Sequence, residues 1–178
     1  MNVFYCHHLP HRAAEALEDR HVIKMCLETA QILSTVARQV LPEADVPVGL
    51  YRSTHKNHPV VVAVRRGAEE IRDGIGEGLY ARWVADHGLA LSVEYSARFN
   101  KVHASACVIR AAKTALGLGP ALPVPFDEVP QAVPDALASD DPVEAYRATL
   151  RAKYAAWHAD AKKRPLKWTG CEPPSWLS

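Results

Sequence analysis

The stretch that decides the fold is residues 21–41, HVIKMCLETAQILSTVARQVL. Placed on a helix at 100° per residue, Val22, Cys26, Thr29, Leu33, Val36, Ala37 and Val40 share one side. His21, Lys24, Glu28, Gln31 and Thr35 fall within an arc of about 80° nearly opposite. The flanks between them stay largely apolar, with Ile23, Leu27 and Ala30 on one and Met25 and Ile32 on the other. A helix apolar around most of its girth belongs in the middle of a domain. Buried there, the His, Lys, Glu, Gln and Thr stripe needs partners or a wet cavity. Two readings follow. The stripe is one wall of a polar pocket, or it is the solvent face of an amphipathic helix with Lys24 and Glu28 as an i,i+4 pair.

The rest of the chain supports a mainly α fold. Its 178 residues suit one domain, 1–178, large enough to fold without disulfides or metal. Net charge is +1, so any nucleic-acid contact must be a local basic patch. Cys6, Cys26, Cys107 and Cys171 are scattered, which suits reduced thiols, and Cys26 and Cys107 read as inert core thiols. No run is apolar enough to span a membrane, and MNVFYCHHLPHR is not a signal peptide, so a cytoplasmic location is expected.

Residues 2–6 are a small strand or a tucked extended segment. Helices are expected over about 10–19, 21–41, 59–66, 79–99, 102–116 and 142–161, five or six in all, with Asn100 capping the fourth. The run VVVAV after Pro59 could equally be a strand, but no other strand is there to pair with it. GAEEIRDGIGEG is glycine-rich and reads as irregular, with room for one helical turn. Residues 120–142 are studded with proline yet carry Val, Phe and Leu, so they form one long ordered loop. Asp141, Pro142 and Glu144 open the last helix as a capping box. The basic and aromatic tail, 162–178, docks on the body.

Two polar clusters accompany the central stripe. His55, Asn57 and His58 precede Pro59. His-x-x-His binds a metal only where a third ligand such as His7, His8 or His103 converges, and the helix-borne H-E-x-x-H spacing is missing, so no metal is assigned. The helix start at Pro59, with Arg52 and Lys56, instead suits an anion such as phosphate, or else the segment is a plain solvated loop. Arg98, Lys101, His103 and Ser105 straddle a second helix junction, with Tyr95 one turn before. They form a second candidate anion site, unless Arg98 and Lys101 merely stabilise a helix end by charge–dipole attraction. KKRPLKW could track a phosphate backbone. No nucleophile elbow, phosphate loop or dinucleotide fingerprint is present.

Taken in order, DRHVIKMCLETAQILST, YRSTHKNHP, LSVEYSARFNKVHAS, VPQAVPD and DDPVEAYRATLRAKYAAW resemble a family of small phage proteins, the amino acid:DNA transferases of thymine hypermodification. The resemblance covers most of the chain. Arg20 stands where that family has lysine, Asn100 where it has glycine, and residues 67–78 diverge. The resemblance implies an enzyme that replaces the pyrophosphate on activated 5-hydroxymethyluracil in DNA with the amine of an amino acid, commonly glycine. The base would flip from the stack into a pocket. Glu28 or His21 would be the base and Lys24 an anion contact. His55, Asn57 and His58 would stabilise the leaving group or hold the base edge, with Arg52 and Lys56 beside them. Tyr95, Arg98, Lys101 and His103 would bind a carboxylate or phosphate, and Gln131 would read the flipped uracil. No cofactor is implied, and a divalent ion assisting pyrophosphate departure stays open. If phage-encoded, the enzyme would work in the host cytoplasm. Two alternatives remain: a helical DNA-glycosylase-like base-processing enzyme, or a non-catalytic phage DNA-binding protein.

Overall fold

A computed structural model describes residues 2–160 and 162–177, so Ala161, the expected end of the last helix, lies outside the described residues. Helix α2 (Asp19–Val40) forms the axis. It starts where the Glu18 side chain accepts hydrogen bonds from the backbone N–H of Arg20 and His21, and it stops at Leu41, just before Pro42. Around it pack α3 (Pro59–Arg72), α4 (Leu79–Phe99) and α5 (Ser105–Ala115), while the short α1 (Pro10–Glu15) lies on α4. Helix α6 (Pro142–Ala159) closes another side through buried Tyr146, Leu150 and Tyr154. The molecule is all-helical and compact, and the described residues contain no strand.

The N-terminal segment is an extended rod inside the core. Val3 to Cys6 are at most 1% exposed. The Phe4 ring lies 4.8 Å from His21 of α2 and 6.4 Å from Tyr146 of α6, and the Tyr5 ring 4.6 Å from Trp83 of α4. The segment thus fills the seam between three helices, which needs large apolar side chains but no sheet partner.

Helix α3 runs beyond the expected end, through GAEEIR to Arg72. Gly67 is a point of close approach within it: a Cβ there would stand 3.0 Å from the Ala81 Cβ and 3.1 Å from the Gly78 Cα. The i,i+4 pair Arg66–Glu70, at 3.1 Å, supports the added turn. Other expectations are met locally. Asn100 closes α4 in the left-handed region at φ 52°, and the Asp141 carboxylate accepts from Val143 N–H at 2.8 Å. Glu144 departs from the capping box and pairs with Arg147 at 2.8 Å instead.

The Pro-rich loop is ordered by Tyr146. Its hydroxyl donates to the Pro130 carbonyl at 2.6 Å and accepts from Ala132 N–H at 3.2 Å, while Val124 and Val129 are buried. The tail docks through Trp168, whose indole N–H donates to the Ala16 carbonyl at 3.1 Å, and through the Lys167 carbonyl, which accepts from Asp19 N–H at 2.9 Å. No described helix is long and apolar enough to cross a membrane.

Helices α2 and α4 cross closely at Gly88. A Cβ on Gly88 would run into Thr29 Cγ2, with Thr29 Cβ at 3.1 Å. Gly88→Ala should therefore destabilise the protein by about 1–3 kcal/mol in thermal or urea melts. Adding Thr29→Ser, which deletes the clashing methyl, should recover part of that loss in a double-mutant cycle.

Candidate functional site

Glu28 is the one carboxylate on the polar stripe, and it is only 8% exposed. Two nitrogens lie on it. The backbone N–H of Asn2 donates to Oε2 at 2.7 Å, and Lys24 Nζ lies 3.2 Å from Oε1. The buried rod at 3–6 holds Asn2 there, and the Asn2 side chain accepts from Val3 N–H at 2.8 Å. His58 caps α3, its Nδ1 accepting from Val60 N–H at 3.3 Å. Burial pushes the His58 imidazole below the ordinary histidine range, and the field of Glu28 opposes that shift. Lys153 of α6 is pushed down by burial and by Lys24 and pulled back by Glu28. The N-terminal segment thus contacts this carboxylate, and His58 at the start of α3 and Lys153 of α6 lie within reach of its charge.

The second half of the stripe is occupied by residues 50–54. Tyr51 N–H donates to Ser34 Oγ at 3.2 Å, Thr54 N–H to Thr35 Oγ1 at 3.0 Å, and Thr35 Oγ1 to the Thr54 carbonyl at 3.2 Å. Arg38 donates to the Leu50 and Tyr51 carbonyls, each at 2.9 Å. This strap leads to His55, which takes φ 49° with Nδ1 2.6 Å from Thr54 Oγ1, and then to exposed Lys56 and Asn57; Arg52, also exposed, lies within it. On the other border, Tyr51 OH meets Ser105 Oγ at 3.1 Å. His103 accepts from Ser105 N–H at 3.1 Å through Nδ1, hydrogen-bonds the Ile23 backbone and stacks edge-on to Tyr95 at 4.8 Å. Lys101 is exposed beside it. Of the candidate residues, Lys24 and Glu28 pair on the first half of α2 and His103 reaches its Ile23 backbone, while the 50–58 segment follows from the strap over the second half.

Three lie elsewhere. His21 is in the core, with Nδ1 2.8 Å from Tyr154 OH and its ring among Phe4, Tyr154 and Trp157. Burial first, then the cations Lys153, Lys24 and Arg20, push it down to about 3, so it is a neutral packing imidazole. Arg98 is a structural clamp. It is 8% exposed and donates to the Leu17 carbonyl at 2.7 Å and the Glu15 carbonyl at 2.9 Å, while also pairing with Asp19 at 3.2 Å and Glu94 at 2.9 Å. Its guanidinium borders a different cleft, of about 700 Å³, between α1, α4 and the tail. Gln131 spends its amide on Ser139, donating to the carbonyl at 2.6 Å and accepting from N–H at 3.1 Å, which staples the loop. Cys26 is buried as expected, whereas Cys107 is exposed. Among the described residues, no group of three or more His, Cys, Asp or Glu gathers to hold a metal.

The sequence reading passed over Asn2 and Lys153. Neither has a local signal, since Asn2 precedes every helix and Lys153 is one cation among several on α6.

Removing Arg98 would leave Asp19 unpaired and two carbonyls without donors. Arg98→Met should lower stability by about 3–5 kcal/mol, whereas Lys101→Ala should leave the melting curve unchanged. His21 and buried His87 both fall from 6.5 to about 3, chiefly through burial. Below pH 6.5 the unfolded chain takes up protons that the folded chain refuses until about pH 3. Stability is thus full above that window and declines as pH falls through it. Melts across the window should show the slope, and His87→Gln should reduce it.

No curated protein and no solved structure shows significant similarity to the chain. Residues 1–105, which hold Asn2, α2, the strap, His58 and the α4–α5 junction, match the pyrimidine dimer DNA glycosylase family. That match corrects the amino acid:DNA transferase resemblance. With it fall glycine as co-substrate, pyrophosphate-activated hydroxymethyluracil as acceptor, and the leaving-group, carboxylate-binding and uracil-reading roles drawn from them. The match covers more than half of the sequence and favours the glycosylase alternative: the chain belongs to the pyrimidine dimer DNA glycosylase family.

Proposed function

We propose that this protein is a DNA glycosylase that removes damaged pyrimidines, dimers foremost, with Glu28 as its essential carboxylate. The observation that carries this reading is a nearly buried carboxylate with two nitrogens on it, 2.7 and 3.2 Å away, one of them the exposed cation Lys24. Breaking a base–deoxyribose bond builds positive charge on the sugar, and a desolvated carboxylate stabilises that charge. A carboxylate beside an amine can also take its proton, so that the amine attacks C1′, the pyrimidine leaves, and an imine to the opened sugar follows. Lys24 supplies one such amine, at Oε1, and a chain processed after Met1 would carry a second, at Asn2, on the other oxygen of the same carboxylate. His58 adds a partly buried imidazole, pushed towards its neutral form, at the same edge. Lys56, Arg52 and Lys101 suit phosphate contacts around the opening.

The test is a duplex oligonucleotide carrying one thymine dimer. Wild-type protein should break one base–sugar bond of the dimer, leaving an abasic sugar with the detached pyrimidine still joined to its dimer partner, or nick the strand there, and Glu28→Gln should lose at least about a hundredfold in single-turnover rate while still binding the duplex. Borohydride added during the reaction should link protein to DNA if an imine forms, and peptide mapping will identify the amine. Full activity of Glu28→Gln would remove Glu28 from the mechanism. Tight binding with no excision by wild type would leave a DNA-binding protein.

A further inference from the structure

Helix α2 leaves part of its apolar flank uncovered beside Glu28. Ile23 is 43% and Leu27 40% exposed, one helical turn apart, although both were expected to be buried flanks of a central helix. The neighbouring Val102 is 82% exposed, next to the His103 whose ring bonds the Ile23 backbone. No described segment covers this patch, because the strap over Ser34 and Thr35 protects only the second half of the helix. Its surroundings are cationic. Arg20, paired with buried Glu18, lies over the Trp157 ring at 4.2 Å, Lys24 is paired with Glu28, Lys153 is close enough to both Lys24 and Glu28 to shift with their charges, and Lys101 is exposed beside Val102.

An apolar pair set in a cationic rim complements a polymer with anionic edges and an apolar interior. Duplex DNA has that build, with phosphates outside and stacked bases within. Side chains four apart on a helix stand about 6 Å from each other, comparable to the gap left when one base leaves a stack of roughly 3.4 Å steps. We propose that Ile23 and Leu27 form a wedge that enters the base stack of the duplex and holds open the gap from which a nucleotide is displaced beside Glu28. This rests on the glycosylase reading and adds to it the device that opens the helix. Unstacking a duplex costs free energy that phosphate contacts alone do not direct to one step, and apolar wedges are a general means of doing so.

The test compares Ile23→Ser/Leu27→Ser with the conservative Ile23→Leu/Leu27→Met on two substrates. One is a fully paired duplex with a single thymine dimer, and the other holds the same dimer in an unpaired bubble. A 2-aminopurine beside the dimer reports unstacking by its fluorescence. Both positions are part-exposed, so melting curves should stay near wild type. The serine variant should lose duplex excision about tenfold more than bubble excision and should lose the fluorescence rise, while the salt dependence of binding persists because the cations remain. The conservative variant should keep both signals. Equal loss on duplex and bubble, or a wild-type signal from the serine variant, would overturn the wedge. A wild-type protein that raises fluorescence through these two residues but excises nothing would sink the glycosylase reading and keep the wedge. One that binds without any fluorescence rise would sink the wedge even if it excises dimers.

Discussion

A 22-residue helix that is apolar around most of its girth has to be covered, and the covering decides everything else in this molecule. Helices α3, α4 and α5, the aromatic side chains of α6 and a buried N-terminal rod share the task. Because the rod must reach the core between α2, α4 and α6, it delivers the Asn2 nitrogen to the Glu28 carboxylate. A carboxylate taken from water on a helix face requires compensating donors, and here those donors are two nitrogens drawn from different parts of the chain. The site is thus a consequence of packing: were the rod shorter or less apolar, Glu28 would be an ordinary member of a surface i,i+4 pair.

The same constraint separates cations that hold the fold from cations that face outward. Arg98 and Lys101 are three residues apart at the end of α4. The guanidinium of Arg98 is planar and many-donored, and it satisfies two carbonyls and two carboxylates at the α1–α2 corner. That corner also receives the tail through Asp19, which accepts from Thr169 N–H at 3.0 Å and from its hydroxyl at 2.7 Å. Lys101 has no such corner to enter and stays exposed. A similar division appears on α2, where His21 turns into an aromatic cage and Lys24, less than a turn later, stays in solvent.

Much of the architecture was legible before any coordinates. Apolar periodicity located the long helices, the lack of a partner strand decided for a helix after Pro59, and Pro10, Pro59 and Pro142 marked three of the starts. Asn100 and Asp141 carried their caps in their own chemistry, since one tolerates the left-handed region and the other accepts hydrogen bonds. Gly67 misled: a glycine read as a breaker serves as a contact point between two helices, and only the neighbour's position shows the difference.

By itself the sequence determined that the protein is helical, that α2 is its axis, and that Glu28, the residues around His58 and those around Lys101 carry polar chemistry. These follow from side-chain types and their period along the backbone, which are local properties. Only the tertiary structure decided which of them meet. It placed the Asn2 nitrogen on Glu28, 26 positions away along the chain, brought Lys153 within reach of that charge from 125 positions away, took His21, Arg98 and Gln131 out of the open face, and left Ile23 and Leu27 uncovered. Contacts across such separations depend on how whole helices pack, and no local pattern of residues encodes that.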